Sequence, residues 1–487
     1  MLVHAHLTAK SSALWAGYFL SACMKSFFLS CALVLLVAAC TVPRHASTAW
    51  QSRQTPGAWS ASFDRFTGRE QLRFRGQSQQ VLYLSRQLAS PAGELQVQVN
   101  GQLLPAAAGT VAHDKLPLRR GARVAVVGHQ AQGSFKLHYP VYQQPQIQVT
   151  LSPNLELLNL CNLLLQYEDL AALPETQTVP FAGKQVKLKD LYALNLKLAA
   201  PFTKFSASPN LAIIKGYFDK SFYLHYANFA LSLPDFPRAS VPAGSAFSHQ
   251  FASPADAQRF VDACNAFYQE IGFDTFLRQR RPYYAAMQAE VSRNLPPPAF
   301  LTEMEHFYGQ PSATYRLYPS LTMLFSSGFA VGGDHTIGNV FGSFVPPANV
   351  ADTATLRLGF ADRQALRTVC VHEFGHSFVN PAIDQLSASV LAASAPRFEP
   401  IREQMSAQGY NEWKICLYEH FTRAGEVLTA RLVGDTAKAQ ELLADNVQQR
   451  HFRYLPQIVE QLQYWYDHEY LDKTYPQKVQ EIVAALQ

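Results

Sequence analysis

The sequence predicts an α+β protein, in which an N-terminal β-sandwich module precedes a mainly α-helical domain with a small β-sheet. Residues 60–140 alternate apolar and polar side chains with a period of two, as strands do. From residue 151 onward the apolar side chains recur with the period of a helix, and residues 314–344 are again rich in β-branched and aromatic side chains. We therefore expect the module at 60–140 and the second domain at 151–487.

The strand pattern of the module is clearest in ELQVQVNG. Leu95, Val97 and Val99 alternate there with polar residues, and an Asn-Gly turn signal follows. The stretches QQVLYLSRQL, ARVAVVGH and GSFKLHYPVY share the pattern. Short strands separated by turn signals are typical of a small β-sandwich. Such a module would bind a glycan or protein ligand, or act only as a spacer.

The second domain opens with PNLELLNLCNLLLQYEDL, whose leucines follow one broad helical face. A later helix in DAQRFVDACNAFYQEIGF has Asp256 as its expected N-cap. Gly and Pro punctuate the β-rich stretch from Thr314 to Phe344, which predicts a small sheet. After Asp362 the sequence is typical of helices almost to Gln487.

Composition excludes two classes of protein. The chain has 487 residues, of which 48% are hydrophobic, so it can bury a large core and is not disordered. Its net charge is only +5, and its Lys and Arg are scattered along the sequence without a cluster interleaved with aromatics. We therefore expect no nucleic-acid partner.

The N-terminal residues carry an export pattern. From Met24, the expected start, one Lys precedes an apolar run at 27–37 that is too short to span a bilayer, and small residues precede Cys40. This pattern resembles a bacterial lipoprotein signal peptide, with 1–40 as the signal region and Cys40 as the lipid-modified first residue. The polar residues 41–59 are expected to form a tether. The protein would then be lipid-anchored in the cell envelope, at the outer membrane, facing the periplasm or the surface.

Four cysteines follow Cys40, too few for a disulfide framework in a chain of this length. A bridge between Cys370 and Cys416 is conceivable. We expect two buried free thiols instead.

A metal motif lies in TVCVHEFGHSFVNP. Asp362 is expected to cap a helix that Pro381 ends, and on it His372 and His376 project from one face about a turn apart. Two such imidazoles suit a tetrahedral Zn²⁺. Glu373, about 100° round the helix, is placed to act as the general base of a His-Glu-x-x-His site.

A catalytic zinc needs a third protein ligand. Position 382 is Ala, which excludes the longer motif with a third histidine, so the ligand is expected on a later helix. That helix offers Glu412, Glu419 and Glu426, spaced by seven residues. Glu419 is preferred, because it lies between apolar residues where an unpaired carboxylate would be costly, although it could instead pair with Arg423. Glu426 and then His420 are the alternatives.

HEFGHSFVNP, followed about forty residues later by YEHFTRAGE, resembles an uncharacterised family of bacterial zincin-like proteins known as a domain of unknown function. The resemblance covers roughly 151–487. It implies a zinc site of the glutamate-zincin type, with His372, His376 and Glu419 as ligands and Glu373 as base. Arg423 lies where an arginine is expected one turn after the ligand glutamate. Thr422 departs from the expected apolar residue, which should affect packing more than chemistry.

Further groups are needed around such a site. In glutamate-zincins the substrate pairs with an edge strand before the metal helix, here expected within 327–344. Arg423, Tyr410 and His420 are the candidates for stabilising the oxyanion. His306 and His335 could approach the site, although lone loop histidines are usually solvated.

The sequence therefore predicts a zinc metallopeptidase that acts on a peptide or protein substrate and is anchored to the membrane by lipid. The alternative is an envelope lipoprotein that binds glycan or protein through the β-module and keeps a structural metal. Glu373 favours the peptidase, because a structural site needs no general base and prefers four closed ligands.

Overall fold

The computed structural model describes residues 44–106, 109–181, 184–242, 250–311, 314–333, 336–349, 352 and 354–486. The chain divides into two compact units. The first, here called the β unit, comprises the residues up to Gln144 together with Tyr466–Lys473, and the second, the helical unit, comprises Pro145–Trp465 and Thr474–Gln487. An N-terminal sheet-rich region followed by a helical one confirms the predicted α+β class. The expected signal region and Cys40 lie outside the described residues.

The strands of the β unit form one antiparallel sheet of eight strands in the order β1-β3-β7-β4-β5, with β2 paired to β3 and both β6 and β8 paired to β4. These strands are β1 (Arg44–Thr48), β2 (Gln51–Thr55), β3 (Ala58–Phe74), β4 (Gln80–Val99), β5 (Gln102–Leu103), β6 (Ala112–Pro117), β7 (Ala122–His138) and β8 (Val141–Gln143).

The sheet folds over on itself around a single apolar core. Phe74 pairs with Ala122 at one end of the β3–β7 ladder, and Ala58 pairs with His138 at the other. Nevertheless the ring centroids of Phe74 and Tyr139 lie only 5.6 Å apart. Register shifts in the middle of the long ladders, where β-bulges bend strands, allow this closure.

Two details of the β unit differ from the sequence prediction. QQVLYLSRQL and ELQVQVNG were expected to be separate strands, but both belong to β4, just as ARVAVVGH and most of GSFKLHYPVY belong to β7. The predicted tether at 41–59 is wrong for its described part, since residues 44–48 and 51–55 pair with β3. Polar composition misled here because both strands are edge strands, and β2 is exposed along its whole length.

The described helices of the helical unit surround two small sheets. The helices are α1 (Pro153–Leu165), α2 (Tyr167–Ala171), α3 (Leu188–Leu191), α4 (Ala193–Ala199), α5 (Pro209–Phe218), α6 (Ala227–Leu231), α7 (Pro254–Glu270), α8 (Phe273–Gln279), α9 (Arg281–Arg293), α10 (Ala299–Tyr308), α11 (Arg363–Asp384), α12 (Ala388–Ser394), α13 (Arg402–Ser406), α14 (Trp413–Leu432), α15 (Thr436–Gln448), α16 (Leu455–His468) and α17 (Tyr475–Ala485). Short 3-10 helices occupy Ala200–Phe205, Tyr223–Tyr226 and Ala395–Ile401. The last three residues of α16 belong to the β unit.

The predicted sheet within 314–344 is present and has four strands in the order β13-β14-β12-β9. They are β9 (Ile147–Val149), β12 (Thr314–Pro319), β13 (Gly328–Gly333) and β14 (Thr336–Phe341), and a separate hairpin joins β10 (Thr178–Phe181) to β11 (Lys184–Lys187). β14 and β9 run parallel to β12, whereas β13 is an antiparallel edge strand. Helix α11 packs against β13 and β14.

Helix ends depart from prediction at two places. Asp362 does cap α11, accepting a hydrogen bond from the Ala365 N–H at 2.9 Å, but the helix continues through Pro381 to Asp384. Pro381 therefore leaves the Ser377 carbonyl without its helical donor. Helix α7 is capped by Ser253 instead of Asp256, which lies in its first turn. In the described part of the chain, no helix is both long and apolar enough to cross a membrane.

Candidate metal centre

The metal motif occupies the middle of α11, a helix of 22 residues. His372 and His376 lie on one face of it, as predicted, and their Nε2 atoms are 3.2 Å apart. Both side chains keep some exposure, 16% for His372 and 11% for His376, so that solvent reaches the pair.

Glu419 on α14 completes a triad with the two histidines. Its Oε1 lies 3.3 Å from His376 Nε2, and its Oε2 lies 3.8 Å from His372 Nε2. Tetrahedral zinc holds such atoms at about 2.05 Å, which places any two of them about 3.3 Å apart. The three separations bracket this value, and of the described residues only these three form a His, Cys, Asp and Glu group of metal-binding size. The donor set therefore fits Zn²⁺.

The outer nitrogens of both imidazoles are also held. His372 Nδ1 lies 2.8 Å from Glu426 Oε1. His376 Nδ1 lies 3.1 Å from Asn380 Oδ1 and 3.2 Å from Thr422 Oγ1. An acceptor at Nδ1 keeps the proton there and turns the Nε2 lone pair toward a metal. Glu426 thus orients a ligand, and Thr422, expected to affect packing, touches the site itself.

Arg423 and Tyr410 are directed at Glu419. The Arg423 Nη2 group donates to Glu419 Oε2 at 3.1 Å and to the Tyr410 hydroxyl at 3.4 Å, while Nη1 donates to Asn446 Oδ1 at 3.1 Å. The guanidinium also packs on Phe452, 4.5 Å from its ring centroid. These contacts fix the direction of the Glu419 carboxylate. The geometry supports Arg423 as a residue that positions this carboxylate.

The site carries more carboxylate charge than its surroundings neutralise. Burial opposes a charged His372, but the carboxylates of Glu426, Glu419 and Glu373 outweigh it and raise the pKa of His372 to about 9. Burial also opposes a charged Glu419, yet hydrogen bonding to His376 and the charges of both histidines and Arg423 hold its pKa well below its usual range. A site that draws a proton onto an imidazole in this way also attracts a divalent cation.

Glu373 lies beside the triad and faces β13. A Cβ atom placed on Gly328, the first residue of β13, would be 2.9 Å from Glu373 Oε1 and equally close to Val369 Cγ2. Only a glycine at this position lets the strand pass so near the carboxylate. Burial raises the pKa of Glu373 above its ordinary value.

Two glycines and a tyrosine set the approach of α11 to α14. A Cβ on Gly425 of α14 would lie 2.0 Å from the Tyr308 hydroxyl, and one on Gly375 of α11 would lie 3.3 Å from Thr422 Cγ2. The Tyr308 ring stacks on Phe378, with centroids 4.8 Å apart. These glycines allow the helices that carry the triad to come close together.

The structure separates the remaining candidates from the triad. His420 is fully buried, and its Nδ1 donates to the Cys416 carbonyl at 2.8 Å. Glu412 is the exposed N-cap residue of α14, and His306 is buried on α10. His335 lies outside the described residues. Cys370 and Cys416 are buried free thiols.

The outer edge of β13 has no strand partner among the described residues. The Gly332 N–H donates outward to Asn228 Oδ1 at 2.7 Å, so the N–H and C=O groups of Gly328 and Ala330 face the same edge. A cleft of about 430 Å³ lies between Ala330–Gly332 and the α11 segment that includes His376 and Pro381.

A second cleft, of about 520 Å³, lies at the other end of β13. It is lined by Ser326–Gly328 and by the aromatic side chains of Phe218, Phe222 and Tyr223. Phe222 is 52% exposed, and its ring packs against Phe329 of β13 at 5.8 Å.

Sequence comparison gives one result. No curated protein and no solved structure matches the chain. One family model, described as a domain of unknown function, matches residues 217–479, a narrower range than the expected 151–487 that still contains all residues of the triad. Because this match spans more than half of the sequence, the protein belongs to the family described as a domain of unknown function (DUF4932).

Proposed function

We infer that the protein is a zinc-dependent metallopeptidase. The observation that carries this proposal is the convergence of His372, His376 and Glu419 at separations suited to tetrahedral zinc, with Glu373 beside them. Three protein ligands leave a fourth position for chemistry, as catalytic zinc requires. Bound Zn²⁺ would supply a Lewis acid and lower the pKa of an attacking water.

Glu373 is the proposed general base. Its raised pKa brings its proton affinity closer to neutral pH, where a base is most effective. The carboxylate takes a proton from the attacking water and then gives it to the amine that leaves as the C–N bond breaks. Glu426 keeps the His372 ring oriented, and Arg423 does the same for Glu419.

A peptide substrate fits the edge of β13. An extended chain can pair with the outward N–H and C=O groups of Gly328 and Ala330, and the clefts at the two ends of β13 offer room for side chains. Since Gly328 lies against Glu373, a peptide on this edge passes beside the base.

The lipid anchor at Cys40 is part of the proposal, and it places the enzyme in the cell envelope. Cys40→Ser should release the protein from the membrane fraction, because more than one acyl chain is needed for stable anchoring and none would be attached. A variant that stays membrane-bound after salt and carbonate washes contradicts the anchor.

The activity is tested by incubating wild type and Glu373→Gln with a quenched peptide library at equal zinc occupancy, beside a chelator-treated control. Glutamine keeps the size of the side chain but cannot accept the proton. We expect near-stoichiometric zinc in both proteins and a turnover about 10² to 10⁴ times lower in the variant. If wild type cleaves no peptide, the site is structural and the binding lipoprotein is the better description. A fully active glutamine variant would refute the role of Glu373.

A further inference from the structure

Folding of the β unit gathers arginines that are scattered in the sequence. Residues 44–144 contain twelve Lys and Arg but only four Asp and Glu, a net charge of +8, whereas the whole chain carries +5. Five exposed arginines lie at the end of the sheet where β3 ends and β7 begins. This arginine surface consists of Arg73, Arg75, Arg119, Arg120 and Arg123.

The strand register brings these residues together. Arg73 and Arg123 are direct partners on β3 and β7. The turns that hold the other three arginines touch, because a Cβ on Gly76 would lie 2.5 Å from the Gly121 nitrogen and 2.9 Å from the Arg120 carbonyl carbon.

The arginine surface has no countercharge of its own. The segments that form it, 71–79, 98–104 and 117–125, contain no Asp or Glu. Within the described part of the chain, none of the five arginines takes part in an ion pair. Five guanidinium groups held together repel one another, so an anionic ligand would be favoured there.

The apolar neighbour of these arginines points to the kind of anion. Leu103, 51% exposed, pairs with Gln98, which pairs with Ala125, which pairs with Gln71. Since side chains alternate along strands, Leu103 lies on the same face as Arg73 and Arg123. Exposed leucine beside arginines suits a phospholipid surface, where phosphates meet the guanidinium groups and acyl chains meet the apolar group.

Nucleic acid fits the same surface less well. Binding of single strands relies on aromatic side chains that stack on bases. The exposed large apolar residues in the described β unit are Leu103 and Val141, and neither is aromatic.

We propose that the arginine surface, with Leu103, binds the headgroups of anionic phospholipids and lays the β unit on a membrane. The chain direction agrees with this. Arg44 pairs with Arg69 in an antiparallel ladder, so the chain before Arg44 approaches from the Arg73 end of β3. Cys40 is four residues before Arg44, a span of at most about 14 Å. This last step rests on the proposed anchor, whereas the arginine surface itself does not.

The test uses the full chain with Cys40→Ser, so that no acyl chain contributes to binding. Flotation is measured with vesicles of phosphatidylcholine alone and with vesicles that also contain phosphatidylglycerol. The surface variant replaces four arginines by glutamine: Arg73, Arg119, Arg120 and Arg123. A control variant with the same net charge replaces four exposed arginines elsewhere: Arg53, Arg259, Arg281 and Arg453.

We expect binding only to the vesicles with phosphatidylglycerol, weakening steeply as salt is raised, and about 100-fold weaker for the surface variant. The control variant should bind like its parent. Equal binding to both vesicle types, no binding at all, or an equal loss in both variants overturns the proposal. So does tighter binding to an oligonucleotide of equal phosphate concentration.

A second measurement needs no variant. Hydrogen exchange of the parent protein with and without anionic vesicles should show protection in residues 75–79 and 118–121. Protection confined to other segments would contradict the proposed surface even if the surface variant failed to fold.

Discussion

Glu419 and Glu426 are two helical turns apart on α14, yet they contact different atoms of His372. Glu419 Oε2 lies 3.8 Å from Nε2, whereas Glu426 Oε1 lies 2.8 Å from Nδ1. An imidazole cannot offer a lone pair at both nitrogens, so the closer carboxylate holds the proton and leaves the other nitrogen for a metal. The two glutamates therefore have different roles, although the sequence offered both as ligands.

The ligand role of Glu419 predicts a difference between two glutamates of the same segment. Glu419→Ala removes an oxygen from the triad and should lose zinc to a mild chelator far faster than wild type. Glu412→Ala, at the exposed N-cap of α14, should lose it at the wild-type rate. The measurement is zinc release followed with a colorimetric indicator. Equal rates for the two variants would remove Glu419 from the ligand set.

At the scale of elements, β13 and α11 form the cleft. Gly328 is where the two approach most closely, because its missing Cβ leaves room for the Glu373 carboxylate and Val369. The strand therefore determines where the proposed base lies, without touching any of the three ligands.

Gly328→Val should displace the Glu373 side chain and leave the zinc ligands in place. We expect full zinc content and a kcat at least about tenfold lower, since general bases contribute factors of 10² or more. Gly216→Val is the matched control, because a Cβ there meets no atom within 4 Å. Wild-type turnover by the Gly328 variant at full zinc occupancy would contradict the proposed position of the base.

A buried carboxyl joins α1 to the loop after β12. Glu156 accepts hydrogen bonds from Thr322 Oγ1 at 2.8 Å, the Leu321 N–H at 3.1 Å and the Tyr284 hydroxyl at 3.2 Å. Burial outweighs these bonds and raises the pKa of Glu156 to about 7. Its proton is therefore bound more tightly in the folded protein than in the unfolded chain.

This shift predicts a pH dependence of stability. Between pH 4.5, where the unfolded glutamate loses its proton, and pH 7, the free energy of unfolding should fall by on the order of 3 kcal/mol and then level off. Glu156→Gln should remove this part of the slope, and the exposed Glu403→Gln should keep it. Urea unfolding at pH 5, 6, 7 and 8 measures both. An unchanged slope in Glu156→Gln would show that another group is responsible.

At the scale of the whole molecule, local patterns predicted the elements but not their meetings. The Asn100–Gly101 turn, with positive φ at both residues, and the Asp362 cap each depend on neighbours in sequence, and both were predicted. The contact of Glu426 with His372 depends on how α11 meets α14, which no spacing within one helix specifies. Likewise the arginine surface forms only because β3 and β7 pair in one register.

Metal binding should stabilise one unit of the chain more than the other. All three ligands lie on α11 and α14 of the helical unit, and a ligand that binds only the folded state at about 1,000 times its Kd adds about 4 kcal/mol. Hydrogen exchange with zinc and with chelator should therefore differ in α11 and α14 and agree in β3 and β7. His376→Ala is the control, because it keeps the helices but loses a ligand, and its exchange should not respond to zinc. A zinc response in the variant equal to that of wild type would place the metal somewhere other than this triad.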